Sequence, residues 1–394
     1  MNNVVDAFIT HKKIIQMNFI DKLDNIHYVV NFKNGLFELR TGKFRKRTIE
    51  DFYTKTLNYN YSLNYDKEMY HFIKIMFQQI CNDDDATVET LKAFLGYCMT
   101  GEIKEEKSWW SIGMTAQNGK TKLFEAFYEM FRIYSKKLSN QTFEKGYTKR
   151  HKQYTHLRNK RFVYIEELPR ERQDENEIKD RIGGKEIGSN EVMYGTTEDI
   201  PIFFKIVFIS NFTPKFKSDA GIRRRGLCLE HTNRFLSKRE YDTIKNKKGV
   251  YLRNNDIGDY ITQDNFKLAL FHFILPYATQ YYVSGFSNIN LEPLEKKWEE
   301  ICGDNDKMSL FIDEKYTKTG KDSDRICKDD LLEEYQHYYN LKNITWATII
   351  NDIKRIGLEY DRSKRVNGKR GVIIGLVKKN EDNKDNDIEV LGCL

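Results

Sequence analysis

Trp109-Trp110-Ser111-Ile112-Gly113-Met114-Thr115-Ala116-Gln117-Asn118-Gly119-Lys120-Thr121-Lys122-Leu123-Phe124 is the stretch that decides how this 394-residue chain is read. An apolar run leads into a short polar loop, and Leu123, Phe124, Phe127 and Phe131 follow at helical spacing. Strand, tight loop and helix in that order are the context a phosphate-binding loop needs. Backbone N–H groups at the helix start would cradle the β- and γ-phosphates of ATP. Lys120 would neutralise them and the Thr121 hydroxyl would hold Mg²⁺. Gly113, Asn118 and Gly119 complete the loop. Gly113 stands one residue earlier than the spacing G-x-x-x-x-G-K-T requires. Gly-Lys-Thr in an ordinary loop would give the same tripeptide, so the reading depends on what lies around it.

Downstream, Arg161-Phe-Val-Tyr-Ile-Glu166-Glu167 places two carboxylates at the end of an apolar run that reads as a buried strand. One acid could hold the Mg²⁺ shell through water, the part given to Glu166, and the other could polarise an attacking water. An exposed acidic turn would leave the same pattern. A third apolar run, Lys205-Ile-Val-Phe-Ile-Ser-Asn211, ends in an amide able to orient that water, or in a turn-forming Asn ahead of Pro214. Then comes Arg223-Arg224-Arg225. Arginine forks bind phosphate bidentately, and in a ring ATPase such a residue reaches a neighbour's γ-phosphate. A solvated basic face is the plain alternative.

Sixty-five Lys and Arg against 58 Asp and Glu give a net charge of +7, which tolerates an anionic partner without demanding one. The six cysteines form no CxxC pair and show no zinc-ligand spacing, which fits a reducing compartment. The start MNNVVDAFITHKK lacks signal-peptide order, and Leu268 to Ala278 is interrupted by His272 and Pro276, so a soluble, intracellular protein with no membrane partner is expected. Five segments follow from the patterning. Residues 1–66 are a linker segment with a hairpin at Asn34-Gly35, and 67–104 a helical collar. Residues 105–290 form an α/β domain with a mainly parallel sheet, its last part, 232 to 290, helical. Residues 291–380 are a small domain with helices over Lys328 to Asn340 and Trp346 to Ile356 and a basic hairpin at Asn367-Gly368, and 381–394 an acidic tail.

Taken in order, these parts resemble the superfamily 3 helicases, and within them the poxvirus-type primase-helicase branch of viruses, phages and mobile elements. Asn34-Gly35-Leu36, Leu39-Arg-Thr-Gly42, Leu91-Lys-Ala-Phe-Leu-Gly96 and Met99-Thr-Gly101 are similar to segments that precede that helicase core. Asn118 is itself typical of the branch's phosphate loop, and Glu167 matches its glutamate. Ile178-Lys179 and Gly183-Gly184-Lys185-Glu-Ile187 resemble the family's extra motif, which implies Lys179 and Lys185 as DNA contacts. Asn211-Phe-Thr-Pro214 and Gly221-Ile222 with Arg224-Arg225 match the asparagine and arginine motifs. The family usually has an acid where Lys185 stands and an aromatic where Arg223 stands.

The resemblance implies an AAA+ P-loop core followed by a winged-helix domain, with Lys364, Arg365, Lys369 and Arg370 along a DNA backbone. It also implies an ATP-dependent replicative DNA helicase acting on single-stranded DNA at the fork as a homo-oligomer, a hexamer, with primase and polymerase partners. The primase half found in many members is not seen in this sequence. A packaging or remodelling ATPase would share the ATP site without needing Gly183-Gly184 or a winged helix. A DNA-binding module that uses nucleotide only for assembly would not need Lys120, Thr121 and Glu167 together.

Overall fold

The computed structural model describes residues 23–24, 26–113, 116–188, 199–216 and 218–379, so the acidic segment 381–394 lies outside the described residues. The chain divides into two compact units, Met1–Ile301 and Cys302–Leu394.

The first unit opens with an antiparallel sheet of β1 (Val29–Phe32), β2 (Gly35–Glu38) and β3 (Lys43–Arg45). Phe32 pairs with Gly35, so the connection is Lys33-Asn34 and the hairpin turns one residue earlier than Asn34-Gly35. Two helices follow, α1 (Lys67–Ile80) and α2 (Asp85–Met99). Each starts where an aspartate can accept a free backbone N–H, Asp66 from Met69 at 2.9 Å and Asp84 from Thr87 at 3.0 Å. In α1 the buried positions Ile73, Met76, Phe77 and Ile80 form one stripe.

The centre of the unit is a five-stranded parallel sheet, the α/β core expected from the sequence. Its strands are β4 (Ser108–Ile112), β5 (Ser135–Leu138), β6 (Phe162–Ile165), β7 (Lys205–Ser210) and β8 (Gly226–Glu230), in the order β5-β6-β7-β4-β8. Helices α3 (Lys120–Met130), α4 (Glu175–Ile182) and α5 (Ala220–Arg223) lie in the crossovers. β4, β6 and β7 are buried along their whole length, which is why they read as continuous apolar runs. β5 escaped the sequence reading because it is an edge strand whose Lys136 and Lys137 are not buried.

Residues 232 to 290 depart from the all-helical expectation. A parallel ribbon of β9 (Arg234–Leu236) and β10 (Val250–Leu252) comes first, and only α6 (Asp264–Ser284) is a long helix. Arg253 N–H donates to the Leu236 carbonyl at 2.8 Å within the ribbon, and Phe235 N–H ties it to the loop after β4 by donating to the Gln117 carbonyl at 2.7 Å. α6 is apolar around its circumference because it packs on α1, α2 and α3. Among the described residues no helix is long and apolar enough to cross a membrane.

Helix α7 (Glu292–Lys315) runs across the division between the units. The second unit has its own core around Phe311, Ile312, Leu331, Tyr335, Ile349, Ile353 and Ile373. Its elements are β11 (Tyr316–Lys318), β12 (Arg325–Cys327), α8 (Lys328–Tyr338), α9 (Trp346–Arg355), β13 (Glu359–Val366), β14 (Lys369–Ile374) and β15 (Leu376–Lys378). An antiparallel sheet β12-β14-β13 backs the two helices, and β11 pairs with β15. Asn367 and Gly368, at φ 49° and 76°, form the two-residue turn between β13 and β14.

Aromatic stacking fixes one face of the central sheet. Trp110 lies 4.0 Å from Phe208 and 4.5 Å from Trp298 between ring centroids, and Trp298 rests on Gly226, where an added Cβ would fall 2.2 Å from the indole. Gly226→Ala is therefore expected to destabilise the first unit by about 1–3 kcal/mol through overpacking, read as a lower urea midpoint at unchanged m-value.

Candidate nucleotide site

All five strands of the central sheet run the same way, so the loops after β4, β6 and β7 share its carboxyl edge. That edge is where α/β proteins assemble sites. The loop after β4 brings Gly119, at φ +79°, to the start of α3, and Gly119 as the N-cap residue has no side chain to cap that helix end. Its first N–H groups remain available to an anion. Gly113 is needed for close approach: an added Cβ there would lie 2.1 Å from Asn118 Nδ2.

Lys120 is 5% exposed, and its Nζ donates to Asn211 Oδ1 at 2.6 Å and to Asn118 Oδ1 at 3.1 Å. Burial holds the ammonium below the usual lysine range, while Glu166 and Glu167 push the other way. Three segments far apart in sequence thus meet at one cation. The two acids are not equivalent. Glu166 forms an ion pair with Lys137 of β5. Glu167 is exposed, sits at φ +57°, a conformation a side chain adopts at a cost, and makes no ion pair among the described residues. Thr121 is the second residue of α3 and only partly buried.

A strap of residues missed in the sequence holds this loop from behind. His231 N–H donates to the Ile112 carbonyl at 2.7 Å, and Asn233 Nδ2 to that of Asn118 at 3.1 Å. The buried His231 ring lies 2.5 Å from Ser111 Oγ at Nε2 and 3.2 Å from the Ile80 carbonyl at Nδ1. Since a carbonyl only accepts, Nδ1 carries the proton and Nε2 accepts from Ser111. Burial, with Lys120 nearby, pushes the imidazole down to about 3. A lone histidine after an apolar run gives no sequence signal for this role.

The arginines lie elsewhere. Arg224 and Arg225 precede β8, so they occupy the amino edge of the sheet, about 16 Å of strand away from the phosphate loop. Both ion-pair with Glu106, Arg225 at 2.9 Å, and the Arg224 side chain is 57% exposed. Arg223 pairs with Glu299 at 2.9 Å. Lys179 on α4 donates to Asp219 at 2.5 Å, and the exposed Lys185 lies 2.8 Å from Asp180. Just beyond, Ile187 and Ile200 exchange backbone hydrogen bonds as an antiparallel bridge, so the chain returns to where it left.

On the hairpin of the second unit, Lys364 donates to Asp322 and Lys369 to Asp330, each at 2.5 Å. Arg365 stands directly opposite Arg370 in the register, and neither has an acidic partner among the described residues. Like charges face to face destabilise a hairpin unless an anion bridges them.

With this geometry in hand, comparison with known proteins finds two family models. One described as "D5 N terminal like" matches residues 1–99, and a "Family of unknown function (DUF5906)" matches residues 111–225. A protein of Acanthamoeba polyphaga mimivirus named "Putative helicase" is 32% identical over 109 residues, which is 27% of this chain and 11% of that protein. This chain therefore matches only about a tenth of that relative's length. Among solved structures, the apo NrS-1 C terminal region is 12% identical with a TM-score of 0.43, covering 82% of this chain and 78% of that one. JCV Helicase is 11% identical with a TM-score of 0.28, over 62% and 60%.

The buried imidazole has a consequence for stability. His231 binds a proton near pH 6.5 when unfolded but only near pH 3 when folded, so its contribution is present above pH 6.5 and lost as pH falls from there toward 3. Between pH 7 and 4.5 the wild type should lose about 2–3 kcal/mol on this account. Urea unfolding of His231→Asn should show a shallower pH dependence, with the share of His27, also lowered to about 3 by burial, remaining.

Proposed function

With kinship to the superfamily 3, D5-type helicases as the premise, we propose that this chain is an ATP hydrolase that drives translocation on single-stranded DNA and unwinds duplex as a ring of identical subunits. One observation carries the reading: Lys120, Asn118, Asn211 and a free Glu167 gather at the carboxyl edge of the sheet, while Arg224 and Arg225 are held at the opposite edge. One protomer cannot bring its own arginines to its own phosphate loop. A neighbour in a ring can.

The roles follow from the side chains. The open N-terminus of α3 and Lys120 hold the phosphates. Lys120 on a phosphate releases Asn211 Oδ1, which then orients the lytic water. Glu167 Oε accepts that water's proton, being the acid not spent on an ion pair. Thr121 and Glu166 would hold Mg²⁺, which would supply charge neutralisation at the phosphates. Arg224 of one protomer stabilises charge in the next protomer's site.

Lys179 and Lys185 are read as strand contacts on the channel side. The second unit is read as a winged helix, β12-α8-α9-β13-β14, whose hairpin meets a DNA backbone through Arg365 and Arg370 in preference to Lys364 and Lys369. Primase and polymerase partners, and a hexamer as the ring, belong to the same reading.

Steady-state ATPase rates against protein concentration test it, with and without single-stranded DNA. Lys120→Ala and Arg224→Ala should each lose more than about 100-fold, the scale of a lost charge-stabilising contact. Mixing the two inactive variants should restore part of the rate, because one supplies the loop and the other the arginine. Failure to complement, with DNA-independent hydrolysis at every concentration, would favour a packaging or remodelling ATPase. No hydrolysis in the wild type would favour an assembly module. On the hairpin, Arg365→Ala and Arg370→Ala should each lower the salt slope of single-strand binding by about 0.7, measured by fluorescence anisotropy, and Lys364→Ala by less.

A further inference from the structure

Glu106 takes no part in the roles above, yet both arginines of the amino edge rest on it. Its Oε2 ion-pairs with Arg224 and, at 2.9 Å, with Arg225, while its Oε1 lies over Gly183, 4.0 Å from where a Cβ on that glycine would fall. Glu106 sits at φ +47°, in a turn closed by its N–H on the Ile103 carbonyl at 3.0 Å. A glutamate holds that conformation only at a cost, and such positions gather where a function over-determines them. Gly184 packs on the same turn, since a Cβ there would fall 2.2 Å from Ile103 Cδ1.

The two arginines are held differently. Arg225 is closed in: its side chain is 12% exposed, its Nη1 donates to the Gly221 carbonyl at 2.7 Å, and a Cβ added to Gly221 or Gly183 would meet its guanidinium at 3.2 or 3.4 Å. Arg224 is largely open and spends Nη2 on the carboxylate, which leaves the rest of its five-donor fork for a phosphate. Its backbone is fixed as well. Lys107 Nζ donates to the Arg224 carbonyl at 2.7 Å, and Ser108 N–H to that of Arg225 at 2.8 Å. One carboxylate between two guanidiniums leaves the group net positive, so Glu106 orients Arg224 without cancelling its charge.

We propose that Glu106 and the closed-in Arg225 are positioning residues that hold Arg224 in place for the γ-phosphate of the neighbouring protomer; this rests on the ring reading above. Arg225 then touches no nucleotide, and of the three consecutive arginines Arg224 alone is given to the neighbour. A long side chain ordered in advance does not lose its rotamer freedom in the reaction itself. The seat also lies at the start of β4, whose other end leads into the phosphate loop. One strand of five residues thus joins the site a protomer owns to the site it completes.

Steady-state ATPase assays of the full chain test this with Glu106→Gln, which keeps the size and removes the charge, and Arg225→Lys, which keeps the charge and removes the fork. Each should lower kcat by about 10- to 100-fold, the scale of a misplaced reacting group, and leave KM for ATP unchanged because the phosphate loop is intact. Circular dichroism and ATP affinity by isothermal titration should match the wild type. Mixing assigns each defect to one side of the interface. Either variant mixed with Lys120→Ala should regain part of the rate, because Lys120→Ala brings a seated Arg224, whereas mixing with Arg224→Ala should bring no gain. With Lys120→Ala and Arg224→Ala complementing each other, an unchanged kcat in both variants, or a loss that Lys120→Ala relieves in neither, would overturn the positioning role and leave the ring standing. If that control pair fails to complement, the ring reading falls and this inference with it.

Discussion

Lys120 is a cation that the fold removes from water and surrounds with amide oxygens. A buried ammonium is costly unless its donors are met, and Asn118 and Asn211 meet them while the carboxylates of Glu166 and Glu167 act from farther off. The site is therefore poised. Neutral acceptors hold the charge in place without cancelling it, and an anion on the loop gains what a close carboxylate would already have taken. The geometry behind Lys120 serves this end. Ser111, His231, Asn233 and Phe235 tie the loop and the strand before it to the strap and to the end of α1.

The parallel sheet imposes the second constraint. Carboxyl ends share one edge and amino ends the other, so Lys120 and the arginines are separated by the length of a strand. The amino edge also holds two buried cations that make no ion pair among the described residues. Arg161 donates to the carbonyls of Met99, Val29 and Ile26, and Lys205 to those of Thr100, Glu102 and Phe203. Backbone oxygens from the first sheet and from the end of α2 thus satisfy charges on the central sheet, and ordering one requires the other. The N-terminal segment is welded to the core by this means. Its role is architectural, and it explains why β1 and α2 belong to the same compact unit as the phosphate loop.

In the second unit, charge is sorted by residue type. Lysines on the hairpin are paired with aspartates, whereas Arg365 and Arg370 face each other across the strands. A guanidinium fork suits a planar phosphate contact better than an ammonium does. Four basic residues that look alike in the sequence divide into two that stabilise the unit and two that remain available.

Much of this could be read from the chain before it was folded. Continuous apolar runs mark β4, β6 and β7 because those strands are buried on both faces, and the residue closing each run falls at the carboxyl edge by necessity, since all run the same way. Local pattern alone thus determined the α/β core, the strand-loop-helix around Gly119-Lys120 and the pair of helices with a hairpin near the end. It missed β5, whose edge position relaxes the apolar pattern, and the β9-β10 ribbon, whose backbone bonds to a loop more than a hundred residues earlier. Only the tertiary structure decided that Glu166 is spent on Lys137 while Glu167 is free, that His231 braces the loop, and that Glu106 faces both Arg224 and Arg225. These facts depend on which side chains become neighbours across the fold, and burial and pairing between distant segments leave no periodicity in the sequence to read.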